Sequence, residues 1–369
     1  MEIKLKKRRN RKTLFLISIC LFSLMGCTRM RTIDKVSMIH VFGLDKEEDQ
    51  LVGTALYPKY TKSKDSDNIQ LIKEKAPAGN LFYEKLDKHT DTPIKLAKIR
   101  VIVLGKKYAE SGIGDMVERF IINPELGTSI QLAVSEHSAE SVLKKFSKGD
   151  SLNLIDIIQH NMTRQYLPKT NLHVFLNHFY GQGMDAYIPV ISIDDQMKMM
   201  VKGIGIFKDD KLKLMLNEEQ TLIFSTLKNK RGEGSLKMDV EHRGKKGTII
   251  TRGHKSSQKW EIKKSNLNHP ELNLTLKLRW TVSQYPEWIQ LSNEKENELL
   301  KQLIEAEVKK RVDGLLVTLK EKEVDPLGIG NIVRSKMRVW NEKKFYEKYP
   351  SLPINVKVHL EIINSGLNV

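Results

Sequence analysis

Apolar and polar positions alternate most regularly between Leu272 and Val282, where the six even positions are apolar and every odd one is polar. A period of two turns the apolar set to one side, so this segment reads as a half-buried strand of an antiparallel sheet. Ile354–Ile362 alternates in the same way and predicts a strand that joins that sheet. From Ser292 to about Lys322 the period becomes helical, with Leu299, Leu303, Ile304, Val308, Val312, Leu315, Leu316 and Leu319 on one face. Such a stripe needs cover, and a long helix laid on antiparallel strands is an α+β layer.

The first half has a different texture. Ser37–Leu44 and Gln50–Tyr57 predict a hairpin across the charged turn Asp45–Asp49, and the polar stretch Thr61–Ala78 predicts a loop or weak strand before a helix over about Asn80–Lys88. Strands and helices then alternate. Ile99–Leu104 is a buried-type strand, Gly105–Ile122 holds one or two helices broken near Gly112 and Gly114, Ser129–Ser135 is a strand, and Ala139–Phe146 and Asn153–Tyr166 are helices. This order predicts a mixed sheet. Leu172–Gly183 fits more than one state. Pro189 marks a domain edge near 184–198, beyond which Met199–Phe207 and Lys211–Leu216 predict a hairpin across Asp209-Asp210, and Asn217 caps a helix reaching about Lys228. The expected plan is a multi-subdomain chain of mixed α/β and α+β character. An N-terminal mixed α/β domain covers 27–190, and a C-terminal α+β domain, of one subdomain or two, covers 199–369.

Residues 1–26 belong to neither domain. Seven cations from Lys4 to Lys12 precede the apolar run Leu14–Met25, which falls short of the ~20 residues a spanning helix needs and reads as the core of a signal peptide. Leu24-Met25-Gly26-Cys27 resembles a bacterial lipobox, whose cysteine is diacylated and becomes the first residue of the mature chain. An ordinary secreted protein or an uncleaved anchor are the other readings. Cys20 and Cys27 are the only cysteines in 369 residues, too few for a disulfide framework or a structural zinc site. Acylation at Cys27 would hold the body on the outer face of a cytoplasmic membrane, because two or more acyl chains anchor firmly.

The apolar share of 40% excludes a disordered or collagen-like chain. No HExxH, CxxC, GxSxG, P-loop or helix-opening GxGxxG occurs, so neither catalysis nor a cofactor is expected. His173 and His178 lack a nearby carboxylate and read as surface or core histidines rather than a metal pair. Asp194-Asp195 and Asp209-Asp210 read as polar turns, since neighbours on a strand face opposite ways. The net charge is +17, or +11 without the first 26 residues, and twelve cations against four anions lie between Lys228 and Lys264. Within that stretch Lys245, Lys246, Lys263 and Lys264 are candidates for electrostatic contact with anionic headgroups or an acidic partner, the plainer reading being a solvated surface. A lipid tether would keep the chain away from nucleic acid.

Taken in order, Cys27, Asp34, Val41-Phe-Gly-Leu-Asp45, Arg100-Val-Ile-Val-Leu-Gly105, Ala109, Gly112-Ile113, Asn123-Pro-Glu125, Gly203-Ile-Gly-Ile-Phe-Lys208, Asp210-Lys-Leu212, Asp325-Pro-Leu-Gly-Ile-Gly330, Trp340, Tyr349 and Gly366 resemble the landmarks of the Ger(x)C lipoproteins, the C subunits of spore germinant receptors. No single motif is specific; the ordered set is. Lys98 stands where that pattern has a histidine, and Met215 where it has a glycine. The resemblance implies a non-catalytic lipoprotein of several subdomains, on the outer face of the spore inner membrane. It would work beside integral-membrane A and B subunits in a receptor that triggers spore germination in response to nutrients. The rival is a solute-binding lipoprotein of a membrane importer, which needs two βαβ lobes around a hinged cleft; antiparallel alternation over residues 235–285 argues against it.

Overall fold

The computed structural model describes residues 36–363 apart from 49, 60–67, 77–78, 124, 148–152, 195, 197, 229–233, 264–269 and 338–339. The signal peptide, the lipobox with Cys27, and Lys264 lie outside the described residues. The first half contains β1 (Ser37–Met38), β2 (Val41–Glu47), β3 (Gln50–Lys59), β4 (Asn68–Ala76), α1 (Gly79–Lys88), β5 (Ile94–Lys95), β6 (Val101–Gly105), α2 (Lys106–Ser111), α3 (Gly114–Ile122), β7 (Gln131–Ser135), α4 (Ala139–Phe146), α5 (Asn153–Thr163) and α6 (Leu172–Tyr180). It continues through β8 (Tyr187–Ile193), β9 (Met199–Lys208) and β10 (Lys211–Leu216). The open segment after Leu172 is therefore a helix, capped by Asn171, whose side chain accepts from the Val174 N–H.

Eight of these strands form one sheet in the order β10-β9-β8-β7-β6-β2-β3-β4. Its middle, β2, β6, β7 and β8, is parallel, and antiparallel hairpins extend it on both sides. A parallel middle needs helical crossovers and is covered on both faces, which is why every residue of β6 and β7 is buried. Ala139, Val142 and Leu143 of α4 and Leu154 and Ile158 of α5 pack on one face. Tyr108, Ala109, Met116, Val117 and Phe175, from α2, α3 and α6, pack on the other. The hairpin expected to open a second domain completes this first sheet, with Tyr187 opposite Ile206 and Ile193 opposite Met199. Pro189 sits within β8 just before Val190 and Ile191, the two residues that pair with β7, so it interrupts no parallel rung.

Asp45, expected in a charged turn, instead lies buried in β2. Its Oδ1 accepts the Ala139 N–H at 2.8 Å and its Oδ2 the Glu140 N–H at 2.9 Å, so it satisfies two of the free amides at the start of α4. Burial pushes its carboxyl above the usual range, opposed by those two amides. A side-chain carbon at Gly105 would collide with Asp45 Oδ1. Two landmarks of the resemblance are thus one packing unit.

The second half contains α7 (Glu218–Lys228), β11 (Ser235–His242), β12 (Lys245–Ile262), β13 (Leu272–Gln284), α8 (Glu294–Glu321), α9 (Ile329–Arg334), α10 (Glu342–Lys348) and β14 (Ile354–Ile362). Strands β11 to β14 form a four-stranded sheet in sequence order. Alternation predicts an antiparallel sheet, but β14 runs parallel to β13, with Leu272 opposite Ile354. The helices between them carry the chain back to the end where β13 began, which fixes that direction. Leu300, Ile304, Val308, Val312, Leu315, Leu316 and Leu319 of α8 are buried against the apolar side of this sheet. Asn293 rather than Ser292 caps the helix, accepting from the Lys295 N–H, and Leu300 takes the inward place expected for Leu299.

Candidate functional site

Two places combine polar chemistry with an unusual setting, and one joins the two halves. Asp325, at the turn after α8, is fully buried. Its Oδ1 accepts the Ile329 N–H at 2.9 Å and its Oδ2 the Gly330 N–H at 2.7 Å. Asp185, just before β8, accepts the Asp325 N–H at 2.6 Å through Oδ2, and its own N–H donates to the Asp325 carbonyl at 2.9 Å. Lys208, the last residue of β9, puts Nζ 3.3 Å from Asp185 Oδ1 and 3.9 Å from the ring centre of Tyr346 on α10. Close approach of backbones completes the junction: Asn331 N–H donates to the Gly183 carbonyl at 2.8 Å, and a side-chain carbon on Gly330 would come within 2.9 Å of Gly183 Cα. The Asp-Pro-Leu-Gly-Ile-Gly landmark is a latch that holds the C-terminal helices on the end of the larger sheet.

Burial pushes the Asp325 carboxyl up to about 7, the neighbouring Asp185 adding to the rise and the Gly330 and Ile329 amides opposing it. A carboxyl raised on folding favours the protonated form, so its contribution to stability is present below pH ~4 and is lost as pH rises to about 7. His178 works the other way: burial pushes its imidazole down to about 4, so its contribution grows across the same range. The separating measurement is the difference between variants. Relative to wild type, Asp325→Asn is expected to gain stability from pH 4 to 7, with a slope approaching ~1.4 kcal/mol per pH unit. Urea midpoints at four pH values read it, and parallel curves would show that Asp325 is not the titrating group.

The second place is the outward face of the four-stranded sheet. Its two adjacent rungs place Lys255 opposite Arg279 and Glu361, and Ser257 opposite Lys277 and His359. These residues line a groove of about 550 Å³. On the next rung Lys259 and Lys357 flank Thr275. Several cations are already paired: Lys237 with Asp239, Lys259 with Glu261, Lys263 with Glu271 and Arg279 with Glu361. Lys245 and Lys246 are exposed at the β11–β12 hairpin end, while Lys263 follows the far end of the 18-residue strand β12, of order 50 Å away at ~3.3 Å per residue. The structure therefore does not bring Lys263 together with Lys245 and Lys246. Lys277, Arg279 and Lys357 were missed because they lie outside the basic stretch; only strand register gathers them beside Lys255.

Residues 29–193 match the family described as the spore germination protein N-terminal domain, and residues 202–366 match the family described as spore germination B3/GerAC-like, C-terminal. A Bacillus cereus protein, spore germination protein GerQC, is 26% identical over 349 residues, covering 93% of this chain and 96% of that one. The crystal structure of the GerBC protein matches with a TM-score of 0.59 at 18% identity, covering 88% of this chain and 97% of that one.

Proposed function

The chain belongs to the spore germination GerAC-like family, and from that premise we propose that it is the lipid-anchored, non-catalytic subunit of a nutrient germinant receptor, working beside integral-membrane A and B subunits at the spore inner membrane. The observation that carries this reading is the succession of both family domains along one chain, 29–193 and then 202–366. The buried Asp185–Asp325 junction supports a structural role, because both carboxylates are engaged by backbone amides or Lys208. A solute-binding protein is not favoured: its two hinged lobes differ from one eight-stranded sheet joined to a four-stranded one.

Among the described residues no helix is long and apolar enough to cross a membrane, and on this reading acylation of Cys27 retains the chain at the bilayer. Deleting the gene is expected to abolish germination toward one class of nutrient while growth and sporulation continue. Restoring the wild-type gene should recover it, and restoring Cys27→Ala should give a chain that takes up no labelled palmitate and is either uncleaved or released from membranes. Palmitate uptake with unchanged membrane retention in that variant would remove the anchor from the proposal. Normal germination in the deletion strain on every nutrient tested would remove the receptor role.

A further inference from the structure

We propose that the outward face of the β11–β14 sheet is a docking site for an acidic polypeptide segment of a protein partner, seated in the groove across β12, β13 and β14. The proposal deepens the receptor reading, on which it rests for the existence of a partner. Arg252, Lys255, Lys277 and Lys357 are exposed, and their side chains make no ion pair or hydrogen bond within the described residues, in contrast to the internally paired Lys259 and Arg279. Lys255 and Lys277 are diagonal neighbours on adjacent strands, a spacing of roughly 7–8 Å at which like charges repel. An anionic occupant relieves that repulsion, and surfaces of matched opposite potential associate faster and more selectively.

Composition separates a polypeptide from a bilayer. The groove beside Lys255, Lys277 and Arg279 is shallow and open, so the chemistry of the side chains around it decides the occupant. Surfaces that embed in membranes set apolar or aromatic side chains beside their cations, yet none of the large exposed apolar residues, Ile121, Ile122, Tyr166, Tyr180, Leu291 and Val317, lies on β11–β14. Ser257, Thr275 and Asn273 instead offer short hydroxyl and amide groups along the face, suited to the backbone of an extended chain. Strand addition at the β14 edge is hindered, because the Leu360 N–H already donates to Glu305 Oε1 at 2.6 Å.

The test uses the full-length chain in a detergent with uncharged headgroups, titrated with a fluorescein-labelled peptide of ten glutamates and followed by fluorescence anisotropy. Wild type is expected to bind, and to lose binding as salt shortens the reach of charge. Lys255→Glu with Lys277→Glu should weaken binding at least tenfold without moving the melting temperature. Lys310→Glu with Lys343→Glu, an equal charge change on exposed helix positions, should change it less than twofold. Equal losses in both double variants would reduce the effect to net charge and overturn the proposal, as would no binding by wild type. Binding to phosphatidylglycerol vesicles that the Lys255/Lys277 reversal abolishes, with no peptide binding, would assign the face to the membrane instead. Neither result depends on germination, so failure here leaves the deletion phenotype as an independent test of the receptor role.

Discussion

Leu315→Asp is expected to leave the chain unfolded at ordinary temperatures. Leu315 is 2% exposed on α8, in the row that closes the apolar side of the β11–β14 sheet. Aspartate there removes a buried leucine, worth about 2–5 kcal/mol for truncation alone, and adds a carboxylate with no partner, so the total exceeds about 4 kcal/mol. That is comparable to the whole stability of many domains. Val317, two residues further on and 47% exposed, supplies the control, and Val317→Asp should stay within about 0.5 kcal/mol. Thermal melting and soluble yield compare them. Similar behaviour of the two variants would mean that α8 does not bury the face described.

Asp325→Ala is expected to cost about 3–5 kcal/mol. It leaves the Ile329 and Gly330 amides without acceptors in a fully buried turn, each at a penalty of roughly 1–3 kcal/mol, and opens a small void beside them. Removing a desolvated carboxylate returns part of that loss at neutral pH, so the variant should fare worse against wild type at pH 5 than at pH 8. Denaturant midpoints at the two pH values read both effects. A loss below about 1 kcal/mol at pH 5 would show that the latch contributes little to holding α9 and α10.

Local periodicity made much of the fold legible. The strand at Leu272, the strand Ile354–Ile362, the helix Ala139–Phe146 and the hairpin across Asp209-Asp210 all stand where alternation and capping placed them. What escaped was decided between distant segments. A sequence cannot display that β9 returns to β8, and Pro189 looks like a domain edge until the strands beside it are known. Asp45 looked like a turn residue because Lys46, Glu47 and Glu48 follow it, yet strand alternation points its side chain inward to meet α4. The basic segment was visible as a count of charges, but its division into paired and unpaired cations depends on registers between β12, β13 and β14. The ordered landmarks carried the family, and their physical meaning emerged only from contact: Asp45 with Gly105, and Asp325 with Asp185.

The parallel pairing of β13 with β14 also bears on the order in which the molecule assembles. Asn273 and Asn355 meet at a sequence separation of 82, so this rung closes a long loop whose entropy must be overcome before the contact is rewarded. Until then β13 has β12 on one side and an unsatisfied row of amides and carbonyls on the other. An incomplete sheet of that kind is open to joining a second chain. Lys277 and Arg279, on the opposite face of the same strand, put positive charge on every copy of it. Copies of the chain would therefore be kept apart by mutual repulsion during the interval before the last strand arrives.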